Sequence, residues 1–142
     1  MNPNYKDYAK YTLRSAAILT TGVVYSTFTT DFGSQTFLGP NQLVDQKNQM
    51  VLLVDFTIGS LTSGDIFIQF SDDQTNWHSE TYDDVAASTG VITERVLTRR
   101  LGSTGKYRIS IPIKDRYVRV GVQGVGTVTS SSMAIDAIIG NV

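Results

Sequence analysis

From Gln49 to Ser71 apolar and polar residues alternate in two runs, one on each side of a short Gly/Ser/Thr segment. In the first run Met50, Leu52, Val54, Phe56 and Ile58 share one parity, and Val51, Leu53, Asp55 and Thr57 the other. In the second, Ile66, Ile68 and Phe70 alternate with Asp65, Phe67, Gln69 and Ser71. A period of two puts successive side chains on opposite faces of a pleated strand. Gly59, Ser60, Thr62, Ser63 and Gly64 suit turn dihedrals. The two runs therefore predict an antiparallel hairpin at the centre of the fold.

The same alternation returns in the last third. Tyr107, Ile109 and Ile111 alternate with Lys106, Arg108 and Ser110, and Pro112 ends the run because proline cannot donate to a ladder. Val118, Val120 and Val122 alternate with Tyr117, Arg119, Gly121 and Gln123. After the loop GVGTVTSSS, Met133, Ile135, Ala137 and Ile139 alternate with Ala134, Asp136 and Ile138. Between these blocks, Asp72 to Asn76 reads as a tight turn and Trp77 to Tyr82 as a returning strand. Val91 to Leu101 reads as a strand whose mixed faces suit an edge or an interface. Towards the N-terminus, Ala17 to Leu19 and Val23 to Phe28 are strand-like around a turn at Thr21–Gly22, and Asp31 to Asn41 reads as a loop carrying Phe32, Phe37 and Leu38. The sum is about eight strands and no convincing amphipathic helix after residue 15. This predicts an all-β, antiparallel two-sheet sandwich of jelly-roll or immunoglobulin-like type.

Residues 1–14 stand apart as a polar, tyrosine-rich N-terminal arm, with the sandwich domain expected over 15–142. Tyr5, Tyr8 and Tyr11 recur every three residues, followed by Arg14. On an extended arm these rings and the guanidinium are placed to meet a neighbouring surface. The bland alternative is a frayed terminus or a short helix packed back on its own sandwich.

Composition narrows the classes. A chain of 142 residues has the length of one domain, and β-branched residues dominate its apolar set, which favours strands. The absence of cysteine excludes disulfides and thiolate metal sites. A net charge of −1 from 12 basic and 13 acidic residues argues against a nucleic-acid partner. No apolar run reaches the roughly 20 residues of a membrane span, and MNPNYKDYAKYTLR lacks the apolar core of a secretion signal. The expected place of synthesis is a cytoplasm. Arg95, Arg99, Arg100, Arg108, Arg116 and Arg119 concentrate positive charge in the second half, while most of the acid lies in the first 84 residues. That asymmetry is either a solvated face or complementarity between subunits.

Candidate chemistry is sparse. His78 is the only histidine, and its neighbours Ser79 and Glu80 do not make a Ser-His-Asp arrangement by spacing on a strand. Asp72, Asp73, Thr75 and Asn76 lack the spacing of a calcium loop, and Gly121, Gly124 and Gly126 precede no helix that could cradle a phosphate. No catalytic residue, metal site or cofactor is expected. Trp77 has two readings: packing between the sheets, or, with Asp73 and Asn76 beside it, a platform that stacks on a sugar ring.

Two stretches, DIFIQFSDDQTNWHSE and KDRYVRVGVQGVGTVTSSSMAIDAIIGN, resemble structural proteins of tailed-phage virions, especially the small β-sandwich decoration or auxiliary proteins of the capsid shell. The resemblance covers about residues 49–142. It implies a non-enzymatic capsid decoration protein that binds the major capsid protein on the outside of the shell, often as a homotrimer. Such a protein strengthens the particle and resides in the virion after assembly in the host cytoplasm. The second reading is a carbohydrate-binding or adhesion module of a tail or fibre, which would use Trp77, Asp73 and Asn76.

Overall fold

The computed structural model describes residues 8–26, 30–31, 49–113, 115 and 117–140. Tyr5 and the aromatic loop with Phe32, Phe37 and Leu38 lie outside the described residues. Every described element is a strand: β1 (Tyr8–Ala17), β2 (Val24–Tyr25), β3 (Thr30–Asp31), β4 (Gln49–Thr57), β5 (Leu61–Ser71), β6 (His78–Ser79), β7 (Thr81–Val85), β8 (Ile92–Val96), β9 (Arg99–Leu101), β10 (Gly105–Pro112), β11 (Tyr117–Gly126) and β12 (Ser132–Gly140). The all-β expectation holds, with more and shorter strands than the eight expected.

One sheet has the order β1-β12-β4-β10. A second has the order β2-β11-β5-β6, with β3 also on β11 and β9 also on β5. All pairings are antiparallel. The hairpin expected over residues 49–71 is not formed. β4 pairs with β12 and β10, β5 pairs with β11, β6 and β9, and the turn between them carries the chain from one sheet to the other. Both runs are strands, as their alternation predicts, but each pairs with strands from the last third of the chain and not with the other. Both a hairpin and a crossing between sheets turn the apolar parity inward, so period alone does not choose between them.

Register explains the core. Across β4 and β12, Phe56 faces Met133, Val54 faces Ile135, Leu52 faces Ala137 and Met50 faces Ile139. Across β5 and β11, Ile66 faces Val122, Ile68 faces Val120 and Phe70 faces Val118. These two rows close on each other and all are buried. Burying each large apolar side chain contributes about 1.5–3 kcal/mol. Gly64 and Gly124 sit opposite each other in the second sheet, and their missing side chains make the room the core uses. A Cβ on Gly64 would lie 2.7 Å from Cε1 of Phe56, whose ring reaches across from the first sheet.

The arm boundary at residue 14 also needs correction. β1 runs through it, pairing from Tyr8 opposite Gly140 to Ala17 opposite Met133, with register irregularities on each side of Arg14. Residues 8–14 are an edge strand of the sandwich. An apolar parity around Leu13 and Tyr11, both packed against the core, outweighs the polar composition that suggested a detached arm.

Candidate functional site

β5 is an inner strand of its sheet only in part. Its outer edge is covered by two short strands: β6 pairs at Gln69 and Phe70, and β9 at Gly64, Asp65 and Ile66. Between them the chain leaves the sheet and returns. β7 and β8 form a separate two-stranded ladder, with Thr81 opposite Val96, Tyr82 opposite Arg95, Asp83 opposite Glu94, Asp84 opposite Thr93 and Val85 opposite Ile92. The base is closed by Leu97 N–H donating to the Glu80 carbonyl at 2.8 Å, and Glu80 N–H donates to the Ile68 carbonyl of β5 at 3.2 Å. The tip is closed by Gly90 N–H to Ala86 O and Ala86 N–H to Val91 O. Gly90 holds φ +70°, a left-handed conformation that costs glycine little.

One ion pair fixes the hairpin to the sandwich. Arg99 Nη1 donates to Glu80 Oε1 at 2.6 Å, with the Glu80 side chain 7% and the Arg99 side chain 22% exposed. Beyond that pair the hairpin is in solvent on both faces. Tyr82, Val85, Val91, Ile92 and Val96 are each about half exposed, 48–58%. An isolated two-stranded ribbon is marginal in water, and exposed apolar side chains clustered on one element mark an interaction surface more often than an accident.

The ladder sorts its side chains into two faces. Tyr82, Asp84, Thr93 and Arg95 share one, where Arg95 and Asp84 form an exposed ion pair. Thr81, Asp83, Val85, Ile92, Glu94 and Val96 share the other. On that face two carboxylates, Asp83 and Glu94, stand directly opposite each other, and neither is in an ion pair among the described residues. Directly opposed like charges cost stability in a ladder.

The residues singled out from sequence fall elsewhere. Tyr8 lies on β1 opposite Gly140, and Tyr11 packs against the core. Arg14 donates from Nε to Met133 O at 3.1 Å and from Nη2 to Ile18 O at 3.0 Å and Ala17 O at 3.3 Å. Partial burial pulls its pKa below the ordinary arginine value. It thus ties the irregular end of β1 to the sheet. Arg14 also lines a cavity of about 240 Å³ between β1 and β2, with Leu13, Tyr25, Val120 and Ile135 among the other walls. As described, Tyr11 and Arg14 serve the sandwich and are not freely presented contacts.

Asp73, Asn76 and Trp77 do not converge on a sugar site. Asp73 Oδ1 accepts from Thr75 N–H and Asn76 N–H, each at 2.8 Å, and from Ser71 Oγ at 3.0 Å; its Oδ2 accepts from Asn76 Nδ2 at 2.8 Å. The backbone donors, Asn76 first, hold the Asp73 carboxyl well below the usual carboxylate range. Both side chains are committed to the turn that precedes β6. The Trp77 ring, half-buried, has the guanidinium of Arg119 4.5 Å from its centroid, and the same guanidinium lies 3.7 Å from the centroid of Tyr25. Arg119 Nε also donates to Gln69 Oε1 at 2.7 Å, and Gln69 Nε2 to Ser79 Oγ at 3.1 Å. The result is a crossbar on the outer face of the second sheet.

No group of three or more His, Asp or Glu side chains converges among the described residues. His78 is exposed on β6, while its neighbours Ser79 and Glu80 are engaged by Gln69 and Arg99. The arginine-rich second half meets the acidic first half inside one chain: Arg95 with Asp84, Arg99 with Glu80, and Arg100 with the buried Asp65. The sequence signal for the hairpin was the mixed character of Val91 to Leu101. It is in fact two strands, β8 outside the sandwich and β9 on its edge. No helix of the described residues is long and apolar enough to cross a membrane. No protein-family model matches the chain, and the search of curated proteins found no match.

Proposed function

We propose that this protein acts by contact and performs no chemistry: a structural protein of a tailed-phage virion that decorates the outside of the capsid and cements neighbouring subunits of the major capsid protein. The observation that carries the contact reading is the projecting β7–β8 hairpin, with its half-exposed Val85, Val91, Ile92 and Val96. The virion setting rests on the resemblance of residues 49–142 to decoration proteins. The mechanism is linkage. A protein that binds only the assembled shell stabilises it by RT ln(1 + [L]/Kd), about 2.7 kcal/mol at a hundredfold excess over Kd.

The test is co-sedimentation of the purified chain with shells assembled from the major capsid protein, paired with calorimetry of the shells. Binding at defined stoichiometry with a raised shell melting temperature is the expected result. A chain that stays in the supernatant at tens of micromolar removes the decoration role. The sugar-stacking alternative has no comparable support, because the oxygens it needs on Asp73 and Asn76 are used by the turn.

A further inference from the structure

We infer that the β7–β8 hairpin of one copy docks on the β10 edge of a second copy, so that the protein assembles with itself; this rests on the hairpin being a contact element and names its partner. The described charges lead there. Arg14 is spent on backbone carbonyls. Arg95, Arg99 and Arg100 are paired with carboxylates, and Lys10 with Asp136. Arg119 is stacked between two rings. Lys106 and Arg108, both exposed on β10, have no ion pair among the described residues. Asp83 and Glu94 on the hairpin have none either. Among the described residues Asp55 of β4 stands opposite Lys106 without an ion pair, so one copy carries an opposed acidic couple on the hairpin and, on β10, a basic couple faced by a single carboxylate.

Geometry fits the same pairing. Lys106 and Arg108 are two residues apart and so on one face of β10, roughly 7 Å from each other. Asp83 and Glu94 are cross-strand neighbours on one face of the hairpin, their Cβ atoms roughly 5 Å apart. β10 lies at the end of the order β1-β12-β4-β10, and among the described residues only β4 pairs with it. No described strand takes up its outer backbone groups, which are those that strand addition would use. Lys and Arg on an edge, with Pro112 at its end, discourage indiscriminate pairing. The same charges admit an acidic strand. Laying the hairpin beside β10 continues that four-stranded sheet by two strands, sets acid beside base on one face, and covers Val85, Ile92 and Val96 with the aliphatic stems of Lys106 and Arg108.

Donor and acceptor are different surfaces, so each copy gives one hairpin and takes one, closing as a reciprocal pair or a ring. Hairpin and β10 lie on the same side of the sandwich, because only Gly102 to Thr104 separate β9 from β10.

The experiment is mass by light scattering and sedimentation equilibrium for four full-length chains: the native protein, the hairpin reversal Asp83→Lys/Glu94→Lys, the edge reversal Lys106→Glu/Arg108→Glu, and the chain carrying all four. All the substituted side chains are solvent-facing, and circular dichroism melts verify folding. The native chain is expected to be a closed oligomer, each double reversal to weaken self-association at least a hundredfold, and the fourfold variant to recover it to within tenfold. A native monomer at 100 µM, an oligomer that survives either reversal, or a fourfold variant that stays monomeric overturns the inference. Co-sedimentation with shells separates the two readings. A native chain that is monomeric at 100 µM yet decorates shells sinks self-docking and leaves the capsid role intact. A native oligomer that ignores shells does the opposite.

Discussion

Replacing Gly64 with alanine tests whether the two sheets are locked by a ring pressed against bare backbone. The added Cβ would lie 2.7 Å from Phe56 Cε1, 2.8 Å from Cζ and 3.2 Å from Met133 Cε. Carbon atoms prefer about 3.5–4.0 Å, so the ring must retreat by nearly an ångström. Phe56 and Met133 are both fully buried, and a close-packed interior leaves the ring nowhere to swing. Overpacking of this kind costs about 1–3 kcal/mol. Against it stands the entropy that alanine removes from the unfolded chain, about 0.4–1 kcal/mol. The net expectation is a loss of about 1–2 kcal/mol. For a chain of this size that is roughly 3–7 °C in Tm.

The decisive arm is the double mutant. Phe56→Leu alone shortens the side chain and opens a small void, costing about 1–2 kcal/mol. Joined to Gly64→Ala, the shorter residue makes room for the new methyl, so the pair should cost about 1 kcal/mol less than the sum of the singles. Urea unfolding followed by Trp77 fluorescence, with linear extrapolation and an unchanged m value, gives all three numbers. Additive losses, or a Gly64→Ala protein as stable as the native one, would refute the packing argument.

Three other perturbations read separate parts of the molecule. Glu80→Gln removes one partner of the buried pair with Arg99 and should loosen the hairpin by roughly 3 kcal/mol; hydrogen exchange should rise at residues 81–96 while β4 and β12 stay protected, and uniform exchange would contradict local anchoring. The Asp73 carboxyl is depressed in the fold below its ordinary 3.8, so its contribution is complete above about pH 4 and disappears as pH falls through the folded value. Asp73→Asn should lower the urea midpoint at pH 7 and flatten the native protein's loss of stability between pH 5 and 2, whereas an equally steep acid limb would free Asp73 of that role. Arg119→Ala removes the cation between Tyr25 and Trp77, with an expected cost of roughly 1 kcal/mol and a changed Trp77 emission; an unaltered spectrum would mean that the stack does not persist in solution.

Strand positions were legible wherever apolar residues kept strict parity, as in Met50 to Phe56, Val118 to Val122 and Met133 to Ile139. Partner choice was not. Leu52 and Ile68 have the same spacing and burial whether their strands are neighbours in one sheet or opposed across the core, and only the backbone ladder tells those cases apart. The tight turn at Asp72 to Asn76 was legible from composition, but Asp73's commitment to the backbone donors of Thr75 and Asn76 was not, and that commitment undoes the sugar site. Tyr11 misled because its ring and the charged residues around it describe an edge strand as well as an arm. In Val91 to Leu101 the apolar parity fails because β8 has no sandwich to face. Missing periodicity was the trace left in the sequence by the hairpin.

That trace leads to a last expectation about what the sandwich needs. β6 and β9 together occupy the place of one edge strand on β5, and the hairpin is an excursion between them. Apart from the base pair Glu80–Arg99, residues 81–96 supply no side chain to the buried core. Thr81 and Val96 stand opposite each other, so residues 82–95 can be replaced by Asn-Gly, the two-residue link that suits an antiparallel pair. With Glu80, Leu97 and Arg99 retained, the shortened chain keeps the Leu97 N–H to Glu80 O bond and the ion pair. Its Tm should fall within about 3 °C of the native value, since under 1 kcal/mol of sandwich packing is removed. Thermal melts by circular dichroism measure this directly. A large drop would make the hairpin a structural strut, and its exposed valines would then need no partner.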